Sequence, residues 1–195
     1  MPEAKVQRHC IAFQDSRRIA AGEIKRVAAK IKEIVDQQPD AGILVFDAAT
    51  SETVELDLRG TLREILEKLA AGEPPDPEAP RGPGRPRLGV VAREVTLLPR
   101  HWDWLARQPG GASVALRKLV EEARHANAAR DKWRSAQESA YRFMTTMAGD
   151  LPGFEEATRA LYAGNQPQFQ AMVASWPTDV RNHAKQLAAA AFAAQ

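Results

Sequence analysis

The stretch RGPGRPRLGVVAREVTLLPRHWDWLARQPGGASVALRKLVEEARHA, residues 81–126, decides how this chain of 195 residues is organised. It contains an arginine- and proline-rich start, a β-rich segment, a short helical pattern, a glycine turn and a longer helical pattern. Residues 81–142 hold 13 Lys and Arg against 6 Asp and Glu, a net charge of +7, whereas the whole chain carries +2. This concentration of positive charge indicates either a segment that binds a polyanion or a solvated basic helix face.

The part of the chain before this stretch predicts a small α+β domain of order ββαββα over residues 1–70. A continuous apolar run at 42–47 is typical of a buried central strand, and the polar–apolar alternation at 53–58 is typical of a strand with one wet face. Residues 23–37 carry the apolar spacing of an amphipathic helix. The remaining predicted elements are strands at 9–13 and 17–21 and a short helix that opens at Gly60 and Thr61.

A proline-rich segment separates this domain from the rest of the chain. Six of the 13 prolines fall within residues 70–86. Because proline removes a backbone donor and fixes φ, we predict an extended linker over residues 71–87 and a second domain over residues 88–195.

The linker ends in Gly84-Arg85-Pro86-Arg87, with Arg81 upstream. This sequence resembles the core of an AT-hook, which lies extended in the minor groove of A·T-rich DNA. The resemblance implies that Arg85 enters the groove and that Arg81 and Arg87 contact the DNA beside it. A narrow minor groove concentrates negative potential that attracts arginine. The alternative is a plain basic linker.

The segment after the linker has the order strand, helix, glycine turn and helix. Residues 90–98 are β-rich, Pro99 suits the first position of a helix over 100–108, and Pro109-Gly110-Gly111 interrupts the chain. Ser113 is a good N-cap for a longer helix. The apolar positions predicted for the two helices are Trp102, Trp104 and Leu105, followed by Leu116, Leu119, Val120 and Ala123.

This order resembles the ribbon-helix-helix DNA-binding motif. In that motif two chains pair their strands into a ribbon that enters the major groove, and the second helix begins at a phosphate. The resemblance implies a homodimer through Arg93–Leu98, with Arg93, Val95 and Leu97 facing outward and Ser113 at the phosphate. Arg100, Arg117 and Lys118 are further candidate DNA contacts.

Two alternatives to this interpretation remain open. Val95 and Leu97 cannot form hydrogen bonds with base edges, so only Arg93 could read a base. The unit is therefore a DNA-binding ribbon of low sequence specificity, a dimerisation module without base recognition, or a monomeric strand–helix–helix unit.

The C-terminal half predicts one long helix over 113–148 followed by three shorter helices. Asp179 and His183 are four residues apart and predict an exposed pair on the last helix. Glu122 and His125 have the Glu-x-x-His spacing of di-iron bundles, but the sequence has no second copy of it, so we predict no metal site.

The phrases LVFD, VELDLRG, QPGGASVALRKLVEEAR and MAGDLPGFEEATRALYAG resemble together a bacterial family of unknown function. The resemblance extends from about His9 to Leu187 and implies no activity. With one cysteine, no apolar signal core and no membrane-spanning run, we expect a cytoplasmic protein without a cofactor. The sequence favours a non-enzymatic DNA-binding protein, either a transcriptional regulator or nucleoid-associated. The alternative is a dimeric protein–protein adaptor.

Overall fold

The computed structural model describes residues 8–71, 91 and 93–193 of the chain. They form a mixed α+β structure, as the sequence predicted, with three strands and seven α-helices. The elements are β1 (His9–Gln14), β2 (Arg17–Glu23), α1 (Ile24–Gln37), β3 (Ile43–Asp47), α2 (Leu62–Ala71), α3 (Pro99–Ala106), α4 (Gly111–Ala148), α5 (Phe154–Tyr162), α6 (Gln166–Met172), a 3-10 turn (Val173–Ser175) and α7 (Thr178–Phe192).

The three strands form one antiparallel sheet of order β2-β1-β3. β1 is therefore the central strand, and the prediction that the 43–47 strand is central was wrong. Both strands are short apolar runs, and such runs do not reveal which one lies between two neighbours. Asp15, at φ 51°, occupies the tight turn that joins β1 to β2, where an aspartate tolerates left-handed backbone.

The predicted fourth strand at 53–58 is reduced to a single bridge between Phe46 and Thr53. Its alternation nevertheless holds, because Val54, Leu56 and Leu58 pack against the core while the residues between them are exposed. Of the predicted strand at 90–98, residues 91 and 93–98 are described, and they pair with no other described strand of this chain. Residues 90 and 92 lie outside the described part.

The period of two along β1 gives the sheet two buried faces. Cys10 and Ala12 pack with Val27 and Ile31 of α1 on one face. On the other face Ile11 and Phe13 share a core with Phe46 and with the C-terminal helices. The Phe143 ring centroid lies 5.4 Å from that of Phe13 and 5.4 Å from that of Phe46.

This shared core determines how the chain is grouped. The described residues fall into two compact units. The first lies within Met1–Pro75 and Arg130–Gln195, and the second lies within Asp76–Ala129. The predicted division at residues 70 and 88 separated the sheet from the C-terminal helices, which the structure joins. The contacts that join them are far apart in the sequence, and local patterns carry no information about them.

The turn after β3 is held against α4. The Oδ1 atom of Asp47 accepts hydrogen bonds from the backbone N–H groups of Ala49 and Thr50, at 3.0 and 3.1 Å. The hydroxyl groups of Ser51 and Ser139 share a buried hydrogen bond of 2.9 Å, and the Arg142 guanidinium donates to the carbonyl of Thr50. Asp47 thus ends β3 and orders the turn that follows it.

The last helix corrects one prediction. Asp179 accepts a hydrogen bond of 2.9 Å from the backbone N–H of Arg18 in β2, while His183 is only 4% exposed. The two residues therefore do not form an exposed pair. Within the described residues, no helix combines the length and apolar character needed to cross a lipid bilayer.

Candidate nucleic-acid interface

The predicted DNA-binding residues fall into two groups with respect to the structure. Arg81, Arg85 and Arg87, including the whole Gly-Arg-Pro-Arg sequence, lie outside the described residues. The remaining five belong to the unit Asp76–Ala129 and all have exposed side chains: Arg93, Arg100, Ser113, Arg117 and Lys118.

The segment Arg93–Leu98 leads into α3 without regular secondary structure. Arg93 and Val95 are exposed, as predicted for outward ribbon positions, but Leu97 is half-buried. In the predicted ribbon, the strands of two chains pair with each other. The structure contains one chain, so this pairing stays a prediction.

Proline fixes the start of α3. Pro99 occupies the first turn, as predicted, behind Leu98 at the N-cap with φ −65° and ψ 148°. The carbonyl of Leu98 accepts from the backbone N–H of His101 at 2.8 Å. This helix places Arg100 in its exposed first turn, next to the segment that contains Arg93.

A glycine turn sets the start of α4. Gly110 and Gly111 have φ of 84° and 75°, values that favour glycine over residues with a Cβ. Because α4 begins at Gly111, Ser113 lies in the first turn, and the prediction that it is the N-cap was wrong. Its carbonyl accepts a hydrogen bond of 3.1 Å from Nε of Arg117, which aligns that side chain along the helix.

Ion pairs involve some of the cations of α3, α4 and the segment before them, but not others. Arg124 and Arg134 contact Glu121 and Asp131 at 2.6 and 2.7 Å. The hydrogen bond from Arg124 is the largest cause that holds the pKa of Glu121 below its usual range. In contrast, Arg93, Arg100, Arg117 and Lys118 form no ion pair with a described carboxylate. These four are referred to below as the unpaired cations.

All four unpaired cations were among the predicted DNA contacts. The net charge of +7 also counts arginines that form ion pairs, such as Arg124 and Arg134, because a charge count does not reveal pairing. Sequence reasoning missed the exposure of two aromatic side chains in α3. Trp102 and Trp104 are 42% and 48% exposed, although the sequence indicated apolar positions.

Metal ligation has no support in this region. His125 Nε2 lies 2.9 Å from Oε1 of Glu121 rather than pairing with Glu122. Across residues 8–71, 91 and 93–193, no group of three or more His, Cys, Asp and Glu side chains is arranged to hold a metal ion.

Comparison with protein families covers almost the whole chain. Residues 9–188 match the model of the family described as "Uncharacterized protein conserved in bacteria (DUF2239)". The chain belongs to the DUF2239 family. Neither a curated protein nor a solved structure matches it. Membership of DUF2239 confirms the resemblance read from the sequence phrases and assigns no activity.

Proposed function

We propose that this DUF2239 chain is a non-enzymatic DNA-binding protein of the cytoplasm, acting as a homodimer in transcriptional regulation or nucleoid organisation. The observation that supports it is the group of unpaired cations at α3 and the start of α4. Cations that pair with no described carboxylate are available to phosphates, and each phosphate neutralised releases counterions. The linker arginines Arg81, Arg85 and Arg87 extend the same basic segment.

The contacts have separable roles under this proposal. Arg117 and Lys118 hold phosphates, together with Ser113 and Arg100. Arg93 is the outward residue that can read a base edge, and Arg85 enters an A·T-rich minor groove. Pairing of Arg93–Leu98 between two chains would place two copies of Arg93 in one major groove.

The test is a salt series of duplex binding, measured by fluorescence anisotropy on A·T-rich and mixed duplexes. We expect Arg117→Ala/Lys118→Ala to reduce the slope of log K against log salt by about 2, at about 0.9 per phosphate contact, and to weaken all duplexes alike. Arg124→Ala/Arg134→Ala is the matched control. It removes the same charge from the same helix, at positions already in ion pairs, so its slope should change less.

Two single variants test base readout. Arg85→Ala should reduce the preference for A·T-rich duplex, and Arg93→Ala should reduce any other base preference. No duplex binding by the folded protein at about 50 mM salt would remove the DNA proposal. A protein–protein adaptor is then the better function.

One observation favours the adaptor as the second candidate. An open groove between α1 and α2 has apolar walls from Leu62, Leu66 and Ala70, with Lys25 and Arg63 at its edge. A shallow groove with apolar walls suits a protein partner. Loss of partner binding in Leu62→Glu, with duplex binding absent, would support this function.

A further inference from the structure

The two tyrosines of the chain contact each other between α4 and α5 and remain exposed to solvent. The ring centroids of Tyr141 and Tyr162 are 5.9 Å apart at an interplanar angle of 59°, and the two residues are 39% and 47% exposed. A buried hydrogen bond of 3.1 Å from the side chain of Gln137 to the carbonyl of Leu161 joins the same two helices. It lies one helical turn from Tyr141 and next to Tyr162 in the sequence, so the rings are held together in an open position.

A carboxylate lies beside the two rings. Glu138 is exposed and precedes Tyr141 by three residues on α4, so both side chains lie on one face of that helix. Burial is the largest cause that raises the pKa of Tyr162, and negative charge on Tyr141 and on Glu138 raises it further. The Glu138 carboxylate is thus close enough to act on the Tyr162 hydroxyl of α5. These three residues are called here the tyrosine–glutamate site.

The arginines nearest to Glu138 on its own helix are engaged elsewhere. Arg134 and Arg142 are each four residues from Glu138, a spacing that allows ion pairs on a helix. Arg134 instead contacts Asp131 at 2.7 Å, and Arg142 donates to the carbonyl of Thr50. Glu138 itself forms no ion pair with a cation among the described residues. Its negative charge beside the two rings is therefore available to a cation from another molecule.

This combination of groups suits a guanidinium. The face of an aromatic ring is negative and attracts a cation that lies within about 6 Å of the ring centroid. Because the two centroids are 5.9 Å apart, one cation can meet this condition for both rings. A guanidinium is planar and stacks on aromatic rings, and its N–H groups can at the same time donate to the Glu138 carboxylate. A lysine ammonium is more strongly hydrated and has no planar face, so it should bind less well.

We propose that the tyrosine–glutamate site binds an arginine side chain of a partner protein. Small molecules usually bind in enclosed, concave sites, whereas both rings are exposed here, which suits a side chain carried by another protein. Nucleic acid is disfavoured, because the Glu138 carboxylate repels phosphates. The site lies within Arg130–Gln195, and the unpaired cations lie within Asp76–Ala129, so this proposal goes beyond the DNA contacts and does not depend on them.

The experiment titrates the full chain with a short glycine peptide that carries one arginine, and it follows the tyrosine ring signals by NMR. Because Tyr141 and Tyr162 are the two tyrosines of the chain, these signals report on this site alone. The arginine peptide should shift both rings, the same peptide with neutral citrulline should shift neither, and the lysine peptide should bind more weakly. Equal shifts with the citrulline peptide overturn the proposal. So does a short oligonucleotide that shifts the rings when the arginine peptide does not.

Variants separate the contributions of the carboxylate and the rings. Glu138→Gln keeps both reporters and should weaken binding of the arginine peptide roughly 2- to 5-fold. Glu155→Gln is the matched control, the same change on α5 at a carboxylate that already contacts Arg159 at 3.1 Å, and it should bind as the wild type does. Tyr141→Leu, followed through the Tyr162 signal, should weaken binding roughly 2- to 5-fold, whereas Tyr141→Phe keeps the ring and should not.

The exposed position of Glu138 keeps the proposal testable if Tyr141→Leu fails to fold. Wild-type affinity in Glu138→Gln overturns the proposal, because the carboxylate then plays no part in binding. Equal losses in Tyr141→Phe and Tyr141→Leu also overturn it, since the aromatic face would then not be the group that binds.

Discussion

The histidine buried beneath the sheet predicts how stability depends on pH. His183 is 4% exposed, and its ring centroid lies 4.5 Å from that of Phe143 and 5.8 Å from that of Phe13. Its Nδ1 is buried without a hydrogen-bond partner among the described residues. Burial, and secondarily the positive charge of Arg18, lowers the pKa of His183 from 6.5 to about 4, with partial compensation from a hydrogen bond to Gln186.

The sign of the effect follows from which state binds the proton. Above pH 6.5 both states carry a neutral imidazole, and the full free energy of unfolding is present. As the pH falls through 6.5, His183 binds a proton in the unfolded chain, but in the native state it does so only near pH 4. At 1.36 kcal/mol per pKa unit the loss approaches roughly 3 kcal/mol near pH 4 and is about 2 kcal/mol at pH 5.

The assay compares urea unfolding at pH 7.5 and pH 5, followed by circular dichroism. His183→Leu should lose about 2 kcal/mol less than the wild type between these pH values, because it has no imidazole to protonate. The effect of the substitution on packing cancels, because the free energies of unfolding at the two pH values are compared within each protein. His125→Gln, at a side chain 71% exposed, should behave as the wild type. Equal losses in the wild type and His183→Leu would refute this account.

Three further predictions concern the same unit. Phe143→Ala should lower the free energy of unfolding by about 3–5 kcal/mol in urea titrations, because it removes the ring that contacts both Phe13 and Phe46. Asn165→Ala should cost about 1 kcal/mol in the same titrations, since the Asn165 side chain caps α6 by accepting from the backbone N–H of Gln168 at 3.1 Å. Cys10 should react with a thiol reagent only as fast as the protein unfolds, because it is fully buried and burial is the main cause that raises its pKa.

Local periodicity was sufficient to predict most helices and the α+β class. The stripe within residues 23–37 correctly identified Val27, Ala28 and Ile31 as the buried face of α1. The alternation at 53–58 identified which side chains pack against the core. It did not reveal that this segment forms only a single bridge to β3. Periodicity reports which side of an element is apolar, and backbone pairing depends on a neighbour that lies elsewhere in the chain.

The buried histidine shows a second limit. A histidine four residues after an aspartate on a helix is normally a surface pair, and the sequence around His183 is rich in alanine rather than in large apolar residues. Its burial results from Phe13 and Phe143, which are 170 and 40 residues away in the sequence. The candidate interface is limited in the same way. Both Arg117 and Arg124 lie within helical pairing distance of Glu121 in the sequence, but only Arg124 pairs with it.

The helix α4 shows why an apolar face does not identify what covers it. Hydrophobic burial has no preferred direction and depends only on the apolar area removed from water. Met144 and Leu119 therefore present the same signal in the sequence, although the first is covered by this chain and the second is 43% exposed. A face left exposed in one chain has the same driving force for burial as a core, and this makes the oligomeric state the first measurement for this DUF2239 protein.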